Sequence, residues 1–527
     1  MKTQDTDKKR IDRDQIWCIL SFAGVMILIG VPTWWKCTKV YRVDLPYDQI
    51  QTELFPPEEL PAKVIFISED VSADRHQFPI ALRDALIRSE GIYLSLYKIG
   101  FSARGPNAFE SDLIQNFDIK LSDSSFISRQ HNVNEGTLLI YYVPKINGVL
   151  IGNGRSVYIG SDVKASDVAS VVKKSILGES VLVSSVISIQ SDKKLLENKL
   201  NLRRVPASAD GYDILFTLLN PEPDRLNAEW DIKKAVDLYV DPFTSHLSNL
   251  SSFSVKSQML YMTDLTFPSR SSLEDMDGNK LLSQQDLGLA INSVESRLTS
   301  HVSSNPTLNF ITYIPKRSMS PLYIESPSSS PSFMLPKWGG VYIYNVERND
   351  SKPSIHIETS KVMEVFLSQL KLLLGIQEES KLDYIKYVEH SGIRLWEKEF
   401  LFRLRGMENL LLSRLTLQSL AHLLYKISNI VITDEIGEEV LKSVACFKEG
   451  SSKFSSGLIE DGFRDSKCAF KSSEKAFFDP SLLALLYFPE DQKYAIYIPL
   501  FLPVGFPVLL SLLTILKFWK SSNSETT

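Results

Sequence analysis

A calcium-binding loop is the first chemistry to consider in this sequence, because oxygen-bearing side chains alternate in the run Asp275-Met-Asp277-Gly-Asn279. An EF-hand loop needs a glycine at its sixth position and a bidentate glutamate at its twelfth. This chain has Lys280 and Asp286 at those positions. The same run could be a metal-binding D-x-D motif of a sugar-nucleotide enzyme, but no supporting pattern surrounds it. We therefore predict a solvated turn without a metal.

Nucleophile and phosphate-loop motifs are the next candidates. The sequence contains no G-x-S-x-G, no H-E-x-x-H and no P-loop motif, which are the local patterns of common hydrolases and nucleotide-binding proteins. Gly148, Gly152, Gly154 and Gly160 do not match G-x-G-x-x-G and predict a hairpin turn. The seven histidines are scattered singly, so none forms a short-range pair of metal ligands. The sequence predicts no cofactor and no metal.

The four cysteines could in principle supply a catalytic thiol. Cys18 lies inside the apolar run 16–35, and Cys37 lies just after it. A Cys–His dyad could assemble in space, but Cys37 would be next to a membrane. Cys446 and Cys468 lie in one helical region. One interpretation is a disulfide between them, and the other is two unpaired thiols.

Two long apolar segments determine on which side of a membrane the rest of the chain lies, if they span one. Residues 16–35 and 494–516 contain 20 and 23 residues without a charged side chain. A helix of about 20 residues spans the ~30 Å hydrocarbon core of a bilayer. The first segment could instead be a cleaved signal peptide, but no small-residue cleavage site follows it. The second could be a signal for lipid-anchor attachment, but the polar tail 517–527 follows it. We predict two transmembrane helices.

Two spans place both termini on one side of the membrane, with residues 36–493 on the other. The basic side chains in residues 1–15 weakly favour cytosolic tails, 1–15 and 517–527. Two N-glycosylation sequons, at Asn249 and Asn349, support a lumenal location for the large loop. The chain is therefore predicted to be a multi-pass membrane glycoprotein with both termini in the cytosol.

Membrane lipid is a predicted contact at the first tail. Arg10 and Arg13 are three residues apart and would share a helix face if the first span extends into the headgroup layer. Each basic residue near an anionic surface contributes about 1 kcal/mol to binding. The alternative is that both arginines serve only as topology-determining charges.

The second span carries an unusual series of prolines. Pro499, Pro503 and Pro507 are spaced by four, and each removes a donor from the helical hydrogen-bond ladder. The carbonyls four residues earlier then need other donors in the membrane. One reading is a bent helix that repairs itself locally. The other is a helix-packing face, with Gly505 permitting close approach of another transmembrane subunit.

The remaining composition is that of an ordinary folded protein. Of 527 residues, 44% are apolar and 23% are charged, which excludes collagen, wholesale disorder and small disulfide-rich scaffolds. The 58 basic and 63 acidic residues give a net charge of −5. Without a basic surplus to neutralise phosphates, no nucleic-acid partner is predicted.

Hydrophobic periodicity predicts the fold class. We predict an α/β lumenal domain over residues 36–360 and a helical C-terminal layer over 361–493, flanked by one N-terminal and one C-terminal transmembrane helix. The segments 264–285 and 316–337 are predicted to be mobile or partner-covered loops. Predicted strands are 63–68, 92–98, 137–143, 156–159, 211–218, 253–262, 308–315 and 338–345, and predicted helices in the α/β part are 77–90, 162–176 and 229–240.

Several stretches in fixed order carry a resemblance to a known family. They are Pro32-Thr-Trp-Trp-Lys36 with Leu45-Pro-Tyr47, Glu229-Trp-Asp-Ile232, Ser320-Pro-Leu-Tyr-Ile324, Trp338-Gly-Gly340 with Tyr344-Asn345, Val362-Met-Glu-Val-Phe-Leu367, Lys426-Ile-Ser-Asn-Ile-Val-Ile432, Ala476-Phe-Phe-Asp-Pro-Ser-Leu-Leu483, Phe488-Pro-Glu-Asp-Gln492 and Ile496-Tyr-Ile-Pro-Leu-Phe-Leu-Pro503. With them the chain resembles the PIG-S family, a subunit of the GPI transamidase of the endoplasmic reticulum. The resemblance covers residues 16–50 and about 210–516, and it is loose over 60–205.

The resemblance implies a non-catalytic structural subunit in the endoplasmic reticulum membrane. The complex cleaves a C-terminal signal from a proprotein and attaches the new carboxyl end to the ethanolamine amine of a GPI lipid. In the family, the cysteine-protease-like partner PIG-K carries the nucleophile, so no catalytic residue is carried over. PIG-T, PIG-U and the GPI anchor attachment subunit are the other implied partners. Two alternatives remain open from the residues alone: an independent lumenal enzyme, such as a hydrolase or glycosyltransferase, and a lumenal substrate-binding module.

Overall fold

The computed structural model describes most of the chain between residues 41 and 484 and part of both apolar segments. The described residues are 14, 16–30, 32–33, 36, 41–69, 77–88, 96–118, 123–124, 134–190, 204–205, 211–266, 272–274, 280–298, 303–325, 330–346, 354–377, 379–380, 382–390, 392–427, 430–484, 495, 498–499, 502–503 and 505–513.

The chain divides into two compact units. The larger comprises Leu54–Arg414 and Ala445–Phe470, and it contains both main sheets. The smaller comprises Met1–Glu53, Leu415–Val444 and Lys471–Thr527.

The strands of the described residues are, in chain order, β1 (Leu60–Ile67), β2 (Tyr97–Arg104), β3 (Thr137–Tyr142), β4 (Val149–Ile151), β5 (Ser156–Ile159), β6 (Gly211–Asn220), β7 (Asn227–Glu229), β8 (Ser252–Tyr261), β9 (Ser272–Glu274), β10 (Lys280–Leu282), β11 (Thr307–Tyr313), β12 (Leu322–Ile324), β13 (Ser332–Leu335), β14 (Gly339–Ile343), β15 (Ser354–His356) and β16 (Ile385–Tyr387). Between residues 41 and 484 the α-helices are α1 (Tyr47–Thr52), α2 (Gln77–Ile87), α3 (Ala108–Gln115), α4 (Ala165–Val171), α5 (Glu179–Gln190), α6 (Ile232–Ala235), α7 (Asp241–His246), α8 (Leu287–Leu298), α9 (Thr359–Leu374), α10 (Leu395–Lys426), α11 (Asp434–Ser455), α12 (Ile459–Phe477) and α13 (Pro480–Ala484). The described parts of the two apolar segments are also helical.

The first main sheet has six strands in the order β16-β4-β5-β3-β1-β2. Strands β2, β1, β3 and β5 run parallel, and β4 pairs antiparallel with β5 through a short hairpin. All but the last residue of β3 are buried, whereas most of the edge strand β2 faces outward. A parallel strand buried on both faces requires helices on both sides of the sheet, which explains its continuous apolar sequence.

The second main sheet has five strands in the order β13-β14-β11-β6-β8. Strands β8, β6, β11 and β14 run parallel, and β13 pairs antiparallel with β14. All ten residues of β6 are buried, as expected for a central strand. The edge strand β8 alternates between exposed and half-buried residues.

The two main sheets share one topology. In each, the first strand (β1 or β6) lies between the second (β2 or β8) and the third (β3 or β11). A hairpin follows, β4–β5 or β13–β14, and its second strand pairs parallel with the third strand. The repeat exceeds a hundred residues, and β16 is an addition to the first sheet alone. The larger unit is therefore built from two successive α/β repeats.

The predicted fold class is confirmed for the α/β part and for the helical C-terminal layer. Strand positions are close to those predicted, with one exception: β2 runs from Tyr97 to Arg104, so the strand predicted over 92–98 is placed too early. The helix predicted to start at Glu229 begins at Ile232, because residues 227–229 pair with β15 as a short strand.

The two segments predicted to be open loops contain strands. Strands β9 and β10 lie in 264–285, and β12 and β13 lie in 316–337. Together β12, β10 and β9 form a small three-stranded sheet. These strands are only three residues long, too short for an alternating pattern to stand out.

Among the described residues, the structure contains no helix that is both long and apolar enough to cross a bilayer.

Candidate functional site

The carboxyl ends of the first sheet's strands are one place where an α/β fold would bind a ligand. There Arg104 donates two hydrogen bonds of 2.7 and 2.8 Å to the carboxylate of Glu110, and Tyr141 donates a third of 3.3 Å. Burial favours a higher pKa for Glu110, but Arg104 and the backbone N–H of Asn107 outweigh it and lower the pKa below its ordinary value. The cluster is a fixed ion pair that closes α3 onto the sheet.

The carboxyl ends of the second sheet hold a similar cluster. Tyr313 donates a hydrogen bond of 2.5 Å to Asp264 Oδ1, and Lys316 Nζ lies 2.8 Å from Asp264 Oδ2. Burial, together with the Asp264 carboxylate, raises the pKa of Tyr313 well above its ordinary value, so its hydroxyl stays protonated. These side chains bind one another, and neither cluster pairs a nucleophile with a general base.

A large polar cleft of about 1170 Å³ opens elsewhere in the larger unit. We call it the polar cleft and define it by α9, the segment 376–380, and residues 387–397 at the start of α10, with Ser330, Ser332 and Tyr239 completing its lining. Helix α9 contributes because its apolar face is buried under the second sheet, which leaves Lys361, Glu364 and Ser368 on the opposite side.

A buried ion network forms the floor of the polar cleft. The Arg394 guanidinium donates to Glu397 Oε1 at 3.1 Å and to Glu379 Oε1 at 2.7 Å, and Lys371 Nζ donates to Glu397 Oε2 at 3.3 Å. The side chains of Arg394 and Glu397 are each only 3% exposed. Since a buried charge without a partner is strongly destabilising, this network fixes the start of α10 against α9.

Two basic groups of the cleft have lowered pKa values. Burial lowers the pKa of Lys371, and Glu397 offsets this only in part. Burial also lowers the pKa of His390, and the neighbouring cations Lys371 and Arg394 lower it further. His390 is therefore neutral at pH 7, with its Nε2 3.2 Å from the Ile393 carbonyl oxygen.

Sequence reasoning missed the polar cleft. Its lining comes from five separate stretches of the chain between Tyr239 and Glu397, and no short motif joins them. One weak signal could have indicated it. Residues 394–399 contain four charged side chains, more than the buried side of an amphipathic helix usually carries.

The predicted glycosylation sites are only partly visible. Asn249 is exposed, its Nδ2 donates to Glu460 Oε1, and Ser251 of the same sequon is buried. Asn349 lies outside the described residues, as do the predicted lipid contacts Arg10 and Arg13 and the turn at 275–279.

Cys446 and Cys468 are bonded as a disulfide between α11 and α12, with a Cα–Cα distance of 5.9 Å. Cys18 is exposed and is a free thiol, and Cys37 lies outside the described residues. Among the described residues, no group of three or more His, Cys, Asp and Glu side chains is arranged to hold a metal ion.

The predicted helix-packing face is exposed in this chain. Pro499, Pro503 and Pro507 are all exposed and helical. A Cβ placed on Gly505 would meet no atom within 4 Å, so space for a neighbouring helix exists there.

The glycine hairpin prediction is confirmed. Gly152 and Gly154 lie in the turn between β4 and β5, and the turn is held by the buried Asp123. Its carboxylate accepts from the backbone N–H of Asn153 at 3.1 Å and from the Tyr158 hydroxyl at 3.0 Å. Gly148 and Gly160 lie at the open end of the hairpin, next to the outer ends of β4 and β5.

Stretches that carry the family resemblance contact one another. Asn345 accepts from the Leu322 N–H at 2.8 Å and donates to the Leu322 carbonyl at 2.9 Å, which joins two of those stretches. In the smaller unit, the Ile432 N–H donates to the Tyr41 carbonyl at 3.1 Å. In the stretch Ala476–Leu483, the Asp479 carboxylate accepts a hydrogen bond of 2.9 Å from the Ser481 N–H and so caps the start of α13. These are structural roles rather than catalytic ones.

Comparison with known proteins gives a match over almost the whole chain. The family model described as "Phosphatidylinositol-glycan biosynthesis class S protein" matches residues 21–522. The chain is 38% identical to the GPI-anchor transamidase component PIGS of Bos taurus over 545 residues, covering 95% of both chains. It is 36% identical to the Homo sapiens protein of the same name, again covering 95% of both chains.

A distant relative matches over a similar length. The chain is 21% identical to the GPI transamidase component GPI17 of Saccharomyces cerevisiae over 531 residues, covering 95% of this chain and 92% of the relative. The match over residues 21–522 and the identity to the mammalian proteins show that the chain belongs to the PIG-S family.

Proposed function

We propose that this chain is a subunit of the GPI transamidase, the complex that attaches GPI anchors to proprotein C-termini in the endoplasmic reticulum. The observation that carries the proposal is the 38% identity to a transamidase component over 95% of both chains. The family-model match over residues 21–522 covers most of the first predicted span, the whole intervening domain and the second span, so it is not the likeness of one shared module.

We further propose that the subunit is non-catalytic and structural. At the carboxyl ends of the strands, where α/β folds usually bind ligands, the polar side chains of both sheets bind one another, as in Arg104–Glu110 and Tyr313–Asp264. Two of its four cysteines are joined in a disulfide, which has no free thiolate to act as a nucleophile. The nucleophile is then supplied by another chain, for which PIG-K is the candidate, and PIG-T, PIG-U and the GPI anchor attachment subunit are further proposed partners.

The proposed membrane arrangement is two spans, 16–35 and 494–516, with a lumenal domain between them and cytosolic tails. Large apolar side chains of the described parts of both segments are exposed, among them Trp17, Leu28 and Leu509 at 62–77%. An exposed apolar surface of this kind is typical of contact with a membrane or another protein. Anionic-lipid contact by Arg10 and Arg13 remains part of the proposal.

The test is complementation together with identification of companions. The tagged full-length chain is expressed in cells that lack their own PIG-S protein, and the amount of a GPI-anchored reporter at the cell surface is measured. The same cells are solubilised in mild detergent, and the proteins that co-purify in stoichiometric amounts are identified by mass spectrometry. We expect restored reporter and the four transamidase partners. Stoichiometric companions unrelated to the transamidase, without restored reporter, would disprove the proposal.

A further inference from the structure

The lining of the polar cleft excludes several kinds of ligand. Each of its three lysine and arginine side chains has a carboxylate partner: Lys361 with Glu358 at 2.8 Å, Lys371 with Glu397 at 3.3 Å, and Arg394 with Glu379 at 2.7 Å. Arg394 is buried and the side chain of Lys371 is only 16% exposed, so binding a phosphate or another anion there would mean breaking pairs shielded from water. The exposed Lys361–Glu358 pair is weak and leaves only one surface lysine for an anion.

An acyl chain is also a poor fit. The aliphatic members of the lining are Leu367, Leu372 and Val388, and Leu367 is itself only 6% exposed. Sites for apolar ligands are lined mainly by hydrophobic and aromatic side chains, and most of the side chains here are polar.

The remaining groups suit a ligand rich in hydroxyls. Five serines line the cleft: Ser330, Ser332, Ser360, Ser368 and Ser380. A serine hydroxyl both donates and accepts hydrogen bonds, as each hydroxyl of a sugar does. The rings of Tyr239 and Tyr387 also line the cleft. The Arg394 guanidinium lies over one face of the Tyr387 ring, 5.2 Å from its centroid, which leaves the opposite face for the C–H groups of a sugar ring.

Gln377 provides an independent sign of a missing partner. Its Nε2 atom is buried and has no hydrogen-bond partner among the described residues, although it belongs to the lining of the cleft. Buried amide groups are nearly always satisfied in proteins. A rotation of the Gln377 side chain, which lines the cleft, would bring this donor to a ligand acceptor.

Size favours an oligosaccharide over a single sugar. Pockets for small ligands usually measure about 300–1,000 Å³, and the cleft measures about 1170 Å³. The floor of the cleft is held by the Arg394–Glu397–Lys371 network, so the site is preorganised.

We propose that the polar cleft binds a short neutral glycan through the serine hydroxyls, the Gln377 amide and the tyrosine rings. Such a glycan could belong to the phosphatidylinositol-glycan that the family's description names or to an N-linked glycan of a protein. The first source rests on the proposed function, whereas the glycan chemistry of the cleft does not.

The experiment measures binding to the purified full-length protein in detergent micelles by isothermal titration calorimetry. Three probes are used: the phosphate-free glycan of a phosphatidylinositol-glycan head group, with its lipid chains also removed, a high-mannose N-glycan, and inorganic phosphate. Ser368→Trp obstructs the cleft from an exposed position of α9, and Gln377→Leu removes the unpartnered amide. We expect each variant to weaken glycan binding at least tenfold.

Ser455→Trp is the matched control. Ser455 is an exposed helical serine in the same unit, and its hydroxyl donates to the carbonyl four residues earlier at 2.9 Å, as that of Ser368 does. This control should bind the glycan like the parent. A thermal melt of every variant confirms that it is folded.

Binding of the head group alone assigns the cleft to the lipid glycan, and binding of the N-glycan alone assigns it to a protein glycan; either result supports the proposal. No binding of either glycan, competition by inorganic phosphate, or equal binding by the Ser368→Trp and Ser455→Trp variants would overturn it. Co-purification of transamidase partners is recorded for the same variants, so failure of the proposed function shows separately as absent partners in the parent.

Discussion

At the scale of single residues, the glycines of Trp338-Gly339-Gly340 serve packing rather than chemistry. Gly339 has a φ of +148°, and a Cβ there would lie 1.8 Å from the Asn309 carbonyl oxygen of the adjacent strand. A Cβ on Gly340 would lie 1.8 Å from Oε1 of Gln369, whose side chain is buried and donates to the Phe333 carbonyl at 3.0 Å. Gly339 lets β14 pair closely with β11, and Gly340 lets α9 pack closely on β14.

We therefore expect Gly340→Ala to destabilise the protein by about 1–3 kcal/mol, as overpacking of a buried site does. Thermal unfolding of the purified protein, followed by tryptophan fluorescence, measures the change. Gly288→Ala is the matched control, because a Cβ at this helical position meets nothing within 4 Å. Alanine is favoured over glycine within a helix by about 1 kcal/mol, so the control should melt no lower than the parent. Equal melting of the Gly340→Ala variant and the parent would show that Gln369 moves aside freely.

A buried charge triad makes the second residue-scale prediction. Glu408 lies between Arg204 and Arg405, with Arg204 Nη1 at 2.7 Å and Arg405 Nη1 at 3.3 Å from its carboxylate oxygens, and Ser185 donates to it at 2.5 Å. Burial favours a higher pKa for Glu408, but the two arginines and Ser185 outweigh this and lower it below its ordinary value.

Because the folded-state pKa of Glu408 is lowered, the stability that its carboxylate contributes is present above the unfolded-state value of 4.5 and is lost as the pH falls through the folded-state value. Glu408→Gln should destabilise the protein by about 3–5 kcal/mol at pH 7, since both arginines lose their counter-charge. Denaturant unfolding at pH 7 and at successively lower pH values below 4.5 measures the difference between parent and variant. The difference should shrink at low pH, and a constant difference would contradict the assigned pKa direction.

At the scale of elements, the disulfide joins α11 and α12 in the larger unit. It closes a loop of 22 residues, for which the loss of chain entropy predicts about 3–4 kcal/mol of stabilisation. Cys446→Ser and Cys468→Ser should each lower the melting temperature and the cellular abundance of the protein. Because the disulfide is structural, transamidation per assembled complex should be unchanged, as measured by a GPI-anchored reporter normalised to co-purified subunits.

The control for the disulfide is Cys18→Ser, because this thiol is exposed and free. It should change neither melting nor abundance. A Cys446→Ser protein that is normally abundant and assembled but inactive would instead point to a chemical role for the sulfur.

Element by element, the sequence predicts what depends on local pattern. Strands β3 and β6 have clear sequence patterns, continuous apolar runs, because they are buried over nearly their whole length. Helix α9 has a clear 3.6-residue periodicity because it is buried along one face. The three-residue strands β9, β10 and β12 were not predictable, because each is too short for a local pattern and the sheet depends on pairing of β10 with the distant strand β12. Likewise β16 lies within a region of helical periodicity and becomes a strand by pairing with β4.

The candidate site was the least predictable part. The glycines at 148–160 predicted a hairpin without showing which of them form its turn, and the polar cleft depends on side chains brought together by both the second sheet and α10. For Cys446 and Cys468 the sequence left two alternatives, a disulfide or two unpaired thiols. Their Cα–Cα distance of 5.9 Å in the structure fits the disulfide.

At the scale of the whole molecule, two successive α/β repeats of one topology form most of the larger unit. Of the two repeats, only the second contains stretches that carry the family resemblance, including those around Trp338 and Asn345. The polar cleft also lies beside the second repeat, against α9. This asymmetry indicates that the second repeat carries the more specialised role.

The proposed membrane topology predicts lumenal modification of the large domain. If residues 36–493 face the lumen, Asn249 and Asn349 carry N-glycans, and an endoglycosidase should lower the apparent mass of the protein on a gel. The Asn249→Gln/Asn349→Gln double variant should migrate at the lower position before treatment. Asn305→Gln is the control, because proline follows Asn305 and blocks glycosylation. A parent protein insensitive to the enzyme would leave the lumenal assignment without support from the sequons.

The second apolar segment gives the last prediction, which concerns assembly. Pro499, Pro503 and Pro507 lie along one helix face, and each leaves a carbonyl four residues earlier without its usual donor. In hydrocarbon such a carbonyl needs a donor from a neighbouring helix, a local change of helix type or an ordered water. All three prolines are exposed in this chain, and the surroundings of Gly505 are open, so we propose that another transmembrane subunit packs on this face.

Replacing the three prolines together by leucine should straighten the helix and weaken co-purification of the other transamidase subunits in mild detergent, while insertion and glycosylation stay intact. The matched control is Leu502→Ile, Leu509→Ile and Leu513→Ile, which changes three exposed side chains of the same segment and keeps the backbone ladder as it is. The control should assemble like the parent because its prolines still shape the helix. If the leucine variant also assembles fully and restores the GPI-anchored reporter, the prolines shape this helix for itself and the packing face lies elsewhere.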